Sequence, residues 1–587
     1  MIRLLLVAVV SILAVAAQGA ESPVTPLADE LTKFRLERSP VLRLRQGLPV
    51  DRLPDLSQAQ AERDAAFGRS LAKRLANIDE TALDHRDWLT LEILRWETDE
   101  LTETRFDGLA FLVLPYSTPI RGVQQIFPLL PVREDADRER YLALLRQYAD
   151  VIGQMRSRTT DQVRAGVRVP KEALDLAAGF FAADLEALDR TLAVDAARLA
   201  GAADADAESF RSAVANVIDK QIRPAITALA DDYGANYRVQ APSAVGLSQY
   251  PGGREYYAWL VKRHTTFDVT PREVHAIGLA EVDRINAVMT RVRERLNFTG
   301  TKAEFHQFLR TDARFFPKTP DEIGEKLMAA MEAMEPKLDA LFLRRPKAPY
   351  GVTRLDPRLE GSMTYGYYQV PTPRDPKGYY NYNGSKLESR SLLNVRALAF
   401  HELAPGHHFQ INLQAENEAL PPIRRESRHT AYTEGWGEYA SSLGDEAGLF
   451  SDPYDQYGRL MMDMFLSVRL VVDTGMNALG WSRERAMAYM REHTLESEEQ
   501  IRTESLRYAV DMPGQALAYK MGSRGFRQVR AKAARALGPR FDVRQFHDAV
   551  LMHGSMPMRT LEKHVDWWIE EVRPPPPRLR RSANRLR

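Results

Sequence analysis

The stretch LAFHELAPGHHFQ, residues 398–410, carries the strongest chemical signal in the chain. Three of the twelve histidines fall here, and Glu402 directly follows the first of them, His401. In the usual HExxH arrangement, two histidines one helical turn apart bind zinc, and the glutamate between them acts as the base. Here Pro405 stands where the second histidine is usual, and proline cannot bind a metal. The stretch therefore predicts a zinc site with an altered second ligand.

Two histidines, His407 and His408, remain as candidates for that second ligand. On an unbroken helix His408 would lie about 20° from the face of His401, although about 10 Å further along the axis. Pro405 and Gly406 disfavour an unbroken helix, because proline removes a backbone donor and clashes with the preceding turn. A kink there would bring His407 to the place of the usual second histidine. The residues favour His407, and His408 stays the alternative ligand or a neighbour that faces the substrate.

A third ligand is expected downstream, in YTEGWGEYA, residues 432–440. Glu434 and Glu438 stand one turn apart and would share a helix face. Catalytic zinc sites take three protein ligands, so Glu434 is predicted as the third, and Glu438 as the group that orients a zinc-bound histidine. The alternative is that Glu434 and Glu438 are ordinary surface carboxylates of an amphipathic helix. The glycines at 435 and 437 argue against it, because each costs up to about 1 kcal/mol in a helix and so indicates close packing.

Composition excludes several classes of protein. The 587-residue chain has no cysteine, which excludes thiol catalysis, disulfides and lipid attachment through cysteine, and leaves imidazole and carboxylate as metal ligands. Its 80 basic and 79 acidic residues create no general field for nucleic acid, so no nucleic-acid partner is expected. Neither the serine-hydrolase pattern G-x-S-x-G nor a phosphate-binding loop occurs.

The two ends of the chain differ from its middle. Residues 1–20 have the pattern of a signal peptide, with a positive start at Met1–Arg3, an apolar run at Leu4–Val15 and small residues at Ala14–Ala20. The run is short for a membrane span, although an uncleaved anchor is the alternative. The mature protein is therefore expected in the periplasm or outside the cell, without stable insertion into the membrane. Residues 574–587, a proline run with five arginines, predict a disordered tail.

Helical spacing of apolar residues dominates between those ends. This part of the chain divides into a predicted N-terminal helical region, residues 21–240, and a predicted metal-binding region, residues 241–573. Thr270 and Thr319, each followed by proline, predict helix N-termini. Pro349–Ser391 lacks helical spacing, and its aromatic runs predict two strands joined by a loop. The sequence thus predicts a mainly α protein with a small β element beside the zinc site.

Five strings, HELAPGHHFQ, YTEGWGEYA, VVDTGMNALGWS, PGQALAYKMG and HGSMPMRTLEKHV, resemble the large bacterial family known as domain of unknown function 885. That family is in turn similar to the helical gluzincin peptidases, such as thimet oligopeptidase, Taq carboxypeptidase and angiotensin-converting enzyme. The resemblance implies one zinc ion, a large helical fold of two lobes with a deep cleft, and an extended peptide lying against an edge strand. It leaves the second histidine ligand open.

These features favour an exported zinc peptidase that acts on oligopeptides. Glu402 would take a proton from the attacking water, and a donor from the C-terminal part would stabilise the oxyanion. By analogy with the gluzincins, Tyr519 and His553 are the candidate donors. Residues expected to contact the substrate, with ordinary packing as the alternative for each, are Tyr380, Asn381, Tyr382 and Tyr508. Two other functions stay open: a zinc amidase or esterase acting on a non-peptide or cell-wall substrate, and a metal- or partner-binding protein without turnover.

Overall fold

The structure, a computed structural model, describes residues 22–201, 203–360, 365–372 and 375–573. The predicted signal peptide and the predicted C-terminal tail lie outside the described residues. Within the described ranges the protein is mainly helical and has one small sheet, as predicted. No helix in this part of the chain combines the length and the apolar character needed to cross a membrane.

The N-terminal region consists of helices whose apolar faces pack on one another. They are α1 (Thr25–Arg38), α2 (Pro40–Arg45), α3 (Gln58–Leu75), α4 (His85–Thr102), α5 (Pro119–Gln124), α6 (Asp135–Arg164), α7 (Lys171–Leu192), α8 (Asp204–Val217), α9 (Arg223–Asp231) and α10 (Ala235–Gln240). A π-helical turn at Ile218–Ile222 joins α8 to α9.

The predicted helix starts at the two Thr-Pro pairs are confirmed. Thr270 caps its helix by accepting a hydrogen bond from the backbone of Glu273, whose side chain bonds back to Thr270. Thr319 accepts in the same way from the backbone of Glu322. The helices of this middle part are α11 (Gly253–Thr265), α12 (Pro271–Arg295), α13 (Lys302–Thr311), α14 (Pro320–Met334) and α15 (Leu338–Leu341).

The sheet has three strands, β1 (Tyr350–Arg354), β2 (Gly366–Gln369) and β3 (Gly378–Tyr382), in the order β1-β3-β2. The two predicted strands are β2 and β3, which pair antiparallel. Strand β1, which the sequence analysis missed, pairs parallel to β3 and makes β3 the central strand. Consequently the backbone of β3 is paired on both sides, and a substrate strand could be added only to β1 or β2.

The C-terminal half is again mainly helical. Its helices are α16 (Pro357–Glu360), α17 (Val395–Glu402), α18 (His407–Ala415), α19 (Pro422–Glu426), α20 (Thr430–Glu446), α21 (Pro453–Ala478), α22 (Arg483–His493), α23 (Glu498–Leu506), α24 (Leu517–Leu537), α25 (Val543–Leu551) and α26 (Met558–Val572). Helix α20 packs along α24, and α12 packs along α21.

The main apolar core runs from Val50 to Met521 and joins the N-terminal helices to α21 and α24. A second core surrounds α17, α20 and α26, the helices next to the zinc motif. Because the main core includes side chains from both predicted regions, packing is continuous across the predicted boundary at residues 240 and 241.

Candidate metal centre

The helix that carries the zinc motif is broken, as predicted. Helix α17 ends at Glu402 and α18 begins at His407, with Pro405 and Gly406 in the bend. A Cβ at Gly406 would collide with backbone atoms at the end of α17, so the bend requires glycine there. The indole nitrogen of Trp436 donates a hydrogen bond to the Pro405 carbonyl oxygen at 2.8 Å, which ties the bend to α20.

The bend brings His401 and His407 to Glu434 of α20. The Nε2 atoms of His407 and His401 lie 3.3 Å and 3.8 Å from Oε2 of Glu434, and one ligand atom from each residue lies within 4.8 Å of the others. The imidazole rings are nearly perpendicular, with centroids 4.6 Å apart. Donors held at 2.0–2.1 Å by a tetrahedral ion lie roughly 3.4 Å apart. Two imidazoles and one carboxylate at this spacing fit a single zinc ion.

His408, the alternative ligand, points away from this group. Its Nε2 lies 2.9 Å from the Ala348 carbonyl oxygen, and its Nδ1 lies 2.8 Å from the hydroxyl of Tyr368. The ring is buried, and burial lowers its pKa to about 4, so it is neutral at physiological pH. The structure therefore brings His407 to the candidate metal centre, and His408 connects α18 to the sheet.

Gly435 and Gly437 of α20 allow two close approaches, as their cost in a helix predicts. A Cβ at Gly437 would lie 2.9 Å from Cε1 and 3.0 Å from Nε2 of His401. A Cβ at Gly435 would instead collide with the backbone of Gly522 in α24. One glycine therefore makes room for a ligand, and the other lets two helices cross at short distance.

Glu438 lies behind His401 and is fully buried. Its Oε2 is 3.9 Å from Nδ1 of His401, whereas Glu434 approaches Nε2 of the same ring. Within the described ranges, neither oxygen of Glu438 nor Nδ1 of His401 has a hydrogen-bond partner. This position fits the predicted role of Glu438, since a carboxylate commonly holds the second nitrogen of a zinc-bound histidine.

Buried carboxylates raise the pKa of the His401 imidazole. Burial lowers the pKa of His401, but Glu434 and Glu438 outweigh it and raise that pKa to about 10. Burial likewise raises the pKa of Glu434, but His401 and His407 outweigh it and hold that pKa well below its usual range. A cation that bound here would displace the proton shared by these groups, as is usual for metal sites.

Glu402, the predicted base, ends α17 directly after His401. Burial raises the pKa of its carboxyl group, and the nearby His407 and His401 oppose that shift. A carboxyl group whose pKa is raised toward neutrality is suited to accept a proton and to return it. Glu402 is thus next to the candidate ligands, and its role as a base stays a prediction.

Tyr519 of α24 lies beside the candidate metal ligand His401. Its ring is nearly parallel to that of His401, with centroids 6.1 Å apart. Burial, and then the charge of Glu434, raise the pKa of Tyr519 to about 12, so its hydroxyl is protonated at neutral pH and can donate a hydrogen bond. The guanidinium of Arg469 lies 4.9 Å from the centre of the tyrosine ring. Of the two predicted oxyanion donors, Tyr519 is the one beside the metal centre.

Tyr508 and His553 occupy other places. Tyr508 is fully buried, and its hydroxyl donates a hydrogen bond to Glu504 and accepts one from Nε of Arg469 at 2.6 Å. It therefore supports the arginine next to the site and offers no surface to a substrate. The ring of His553 contacts that of His564, with centroids 4.5 Å apart, in a cluster between α4 and α26. The structure does not bring either residue to the metal centre.

The predicted substrate-contact residues of β3 divide between its two faces. Tyr380 and Tyr382 share one face, are buried, and line a cavity of about 440 Å³. Burial and the charge of Glu402 raise the pKa of Tyr380. Asn381 lies on the opposite face of β3, and its amide nitrogen lies 3.5 Å from the carbonyl oxygen of Tyr367. Because β3 is central, only its side chains can contact a substrate, and a peptide lying against an edge strand would have to pair with β1 or β2.

That cavity lies between α5 and α7 of the N-terminal region and the residues before and within α17. The three metal ligands do not line it, but Leu398 of α17 and Tyr380 do, and both are close to Glu402. The sequence analysis missed several polar residues of its wall, because they are isolated in the chain and match no motif. They are Arg121, Tyr365, Arg390 and Glu496.

Comparison with known proteins shows the family. The family model described as "Bacterial protein of unknown function (DUF885)" matches residues 40–565, and the chain belongs to that family. The structure of a "putative lipoprotein" from Colwellia psychrerythraea superposes with a TM-score of 0.84 at 24% identity, covering 93% of this chain and 99% of that chain.

A "putative lipoprotein of unknown function" from Shewanella oneidensis superposes with a TM-score of 0.71 at 17% identity, covering 92% of this chain and 99% of that chain. At these identities the two structures show a shared fold. No curated protein sequence matches this chain.

Proposed function

We propose that this protein is an exported zinc peptidase that hydrolyses peptide bonds of oligopeptides. The convergence of His401, His407 and Glu434, with Glu402 beside the first ligand, carries the proposal. Three protein ligands are the number that catalytic zinc sites use, because a fourth position must accept water or substrate. A purely structural site would have no use for an adjacent base, so the presence of Glu402 favours catalysis over metal storage.

The mechanism assigns one task to each side chain around the three ligands. A bound zinc ion supplies a Lewis acid, which lowers the pKa of water to about 7. Glu402 takes the proton of the attacking water and returns it to the leaving amine. The hydroxyl of Tyr519 donates a hydrogen bond to the carbonyl oxygen as that oxygen gains charge. Glu438 keeps the ring of His401 oriented through Nδ1.

The proposal includes a gluzincin type of fold, with the substrate cleft between two helical lobes. Its support is the mainly helical architecture, the small sheet beside the metal centre and the cavity between the N-terminal helices and α17. A site reached through such a cavity admits a flexible oligopeptide more readily than a folded protein.

Export is part of the same proposal. The signal-like pattern of residues 1–20 supports it. So does the description of the two structurally similar proteins as lipoproteins, a class that is exported. Because this chain has no cysteine, we propose release into the periplasm or the medium without a lipid anchor.

Glu402→Gln tests the proposed chemistry. We expect the purified mature protein and the variant each to contain about one zinc per chain, because Glu402 is not a ligand. We expect cleavage of a peptide mixture, followed by mass spectrometry, to fall by about 100-fold or more, the usual contribution of a general base. The matched control is Glu388→Gln, which removes an exposed carboxylate ahead of α17 and should cleave like the wild type.

The other outcomes each contradict one part of the proposal. Equal cleavage by the wild type and Glu402→Gln would remove Glu402 from the mechanism. Stoichiometric zinc without cleavage of peptides would favour a binding protein. Hydrolysis confined to esters or to amides of other small molecules would favour the second class of hydrolase.

A further inference from the structure

The cavity beside the metal centre contains an arginine without a carboxylate partner. Nε of Arg390 donates a hydrogen bond to the carbonyl oxygen of Ser385 at 3.0 Å, and no ion pair joins Arg390 to another described residue. Burial lowers the pKa of Arg390, which means that its charge is poorly solvated. The carboxylates on the same wall are already paired, Glu360 with Arg354 at 2.8 Å and Glu499 with Lys386 at 2.7 Å.

The charge balance of the cavity favours an anionic ligand group. Arg121, on the opposite wall, also forms no ion pair with a described residue. Of the other two acidic side chains, Asp175 pairs with Arg238 at 2.7 Å, and Glu496 accepts a hydrogen bond from the hydroxyl of Tyr365 at 2.8 Å. Burial raises the pKa of Glu496 to about 7, so its charge is partly neutralised near physiological pH. Two unpaired guanidinium groups therefore face one weak acid.

The wall of the cavity leads to the proposed base. Val395 and Leu398 line the cavity from α17, and Glu402 follows them seven and four positions later, on the same helix face. Tyr380 lines the cavity as well and is close enough to Glu402 to feel its charge. A ligand that fills the cavity and continues along α17 would therefore reach Glu402.

We propose that Arg390 binds the C-terminal carboxylate of a peptide substrate, so that the enzyme removes a short fragment from the C-terminus. This proposal rests on the proposed peptidase function. A planar guanidinium matches a carboxylate through two parallel hydrogen bonds, which gives direction as well as affinity. Apolar side chains also line the cavity, among them Leu176, Phe180 and Met461. They favour apolar residues in the bound fragment.

The geometry also indicates the length of the fragment. Val395 and Glu402 are about 10 Å apart along the helix axis. An extended peptide covers about 3.3–3.6 Å per residue, so this distance corresponds to roughly three residues. A ligand that is held at Arg390 and reaches Glu402 passes this stretch of α17, so we expect a fragment of more than one residue and slow release of single amino acids.

The role of Arg390 is tested by measuring the cleavage of one library of acetylated hexapeptides, made both as free acids and as C-terminal amides. We expect the zinc-loaded wild type to cleave the acids with a kcat/KM about tenfold or more above that of the amides, as a charge-assisted contact would give. Arg390→Gln should lose this preference through a higher KM for acids, and should cleave amides like the wild type. Arg390→Lys keeps the charge but loses the two parallel N–H donors of the guanidinium, so its preference for acids should be intermediate. Arg272→Gln, at an exposed position, is the control and should keep the preference.

Binding separates this proposal from the peptidase function on which it rests. Zinc-loaded Glu402→Gln is mixed with equal amounts of the acid and amide libraries, and the retained peptides are identified after ultrafiltration. We expect enrichment of acids about tenfold or more, and loss of that enrichment in Glu402→Gln/Arg390→Gln. That pattern would support the carboxylate site even if the wild type cleaved nothing.

Two results would overturn the proposal. Equal retention and equal cleavage of acids and amides would refute it and leave the peptidase function intact. Preferential retention and cleavage of the amides would overturn it as well, because a guanidinium that binds the C-terminus favours the charged acid.

Discussion

Replacing Gly437 with alanine is expected to weaken zinc binding without unfolding the protein. The new Cβ would lie 2.9–3.1 Å from three ring atoms of His401, whereas ordinary contacts are 3.4–4 Å, so the imidazole must move by roughly half an ångström. Metal–ligand distances tolerate only about 0.2 Å. We therefore expect zinc affinity to fall about tenfold or more, which equals about 1.4 kcal/mol or more.

Two other glycine-to-alanine variants separate this effect from changes in helix stability. Gly153→Ala in α6 places a Cβ in open space, so helix propensity should stabilise the protein by up to about 1 kcal/mol. Gly435→Ala collides with the backbone of Gly522, and we expect a loss of about 1–3 kcal/mol in the free energy of unfolding. Gly437→Ala should lie between them in stability, because the gain in propensity opposes the contact with a single ring.

The assay is competition for zinc against a chromophoric chelator, with urea unfolding of the metal-free proteins alongside. The reasoning would be refuted if Gly437→Ala bound zinc as tightly as the wild type. It would also be refuted if Gly437→Ala and Gly435→Ala lost zinc affinity equally, because the effect would then follow from general destabilisation of α20.

Two further predictions concern the histidines and the cavity acid. His407→Ala should lower zinc affinity by orders of magnitude because a ligand is lost. His408→Ala should keep about one zinc per chain after dialysis against a weak chelator, because His408 bonds to Tyr368 and Ala348 instead. The reverse result would exchange the roles of the two histidines. Burial raises the pKa of Glu496 from 4.5 to about 7 in the folded protein, so between these pH values the folded state holds a proton that the unfolded state has released. The wild type should therefore lose stability relative to Glu496→Gln as pH rises through that window, by about 1–3 kcal/mol, and a pH-independent difference in unfolding would contradict this.

The parts of the site that the sequence predicts are those encoded by neighbouring residues. The order His-Glu in 401–402, the proline and glycine at 405 and 406, and the spacing of Glu434 and Glu438 each report on one helix or on one break in a helix. Local backbone geometry follows from local residues, so the broken helix and the preference for His407 could be predicted without coordinates. Helical periodicity predicted the mainly α architecture for the same reason.

The tertiary structure alone decided where distant side chains meet. Tyr508 and Tyr519 stand eleven positions apart, yet one bonds to Glu504 and Arg469 inside the protein and the other reaches the metal centre. Strand β1, whose pairing with β3 makes β3 central, and Arg390 in the cavity also depend on contacts between elements far apart in the chain.

The sequence alone predicted the mainly helical architecture, the break in the zinc-motif helix and the candidate metal ligands in each local motif. Only the tertiary structure decided that His401, His407 and Glu434 share one centre, that His408 turns to Tyr368, and that the cavity lies beside the base. The physical reason is that residue spacing sets the direction of side chains within an element, whereas the distance between elements is set by how their apolar faces pack.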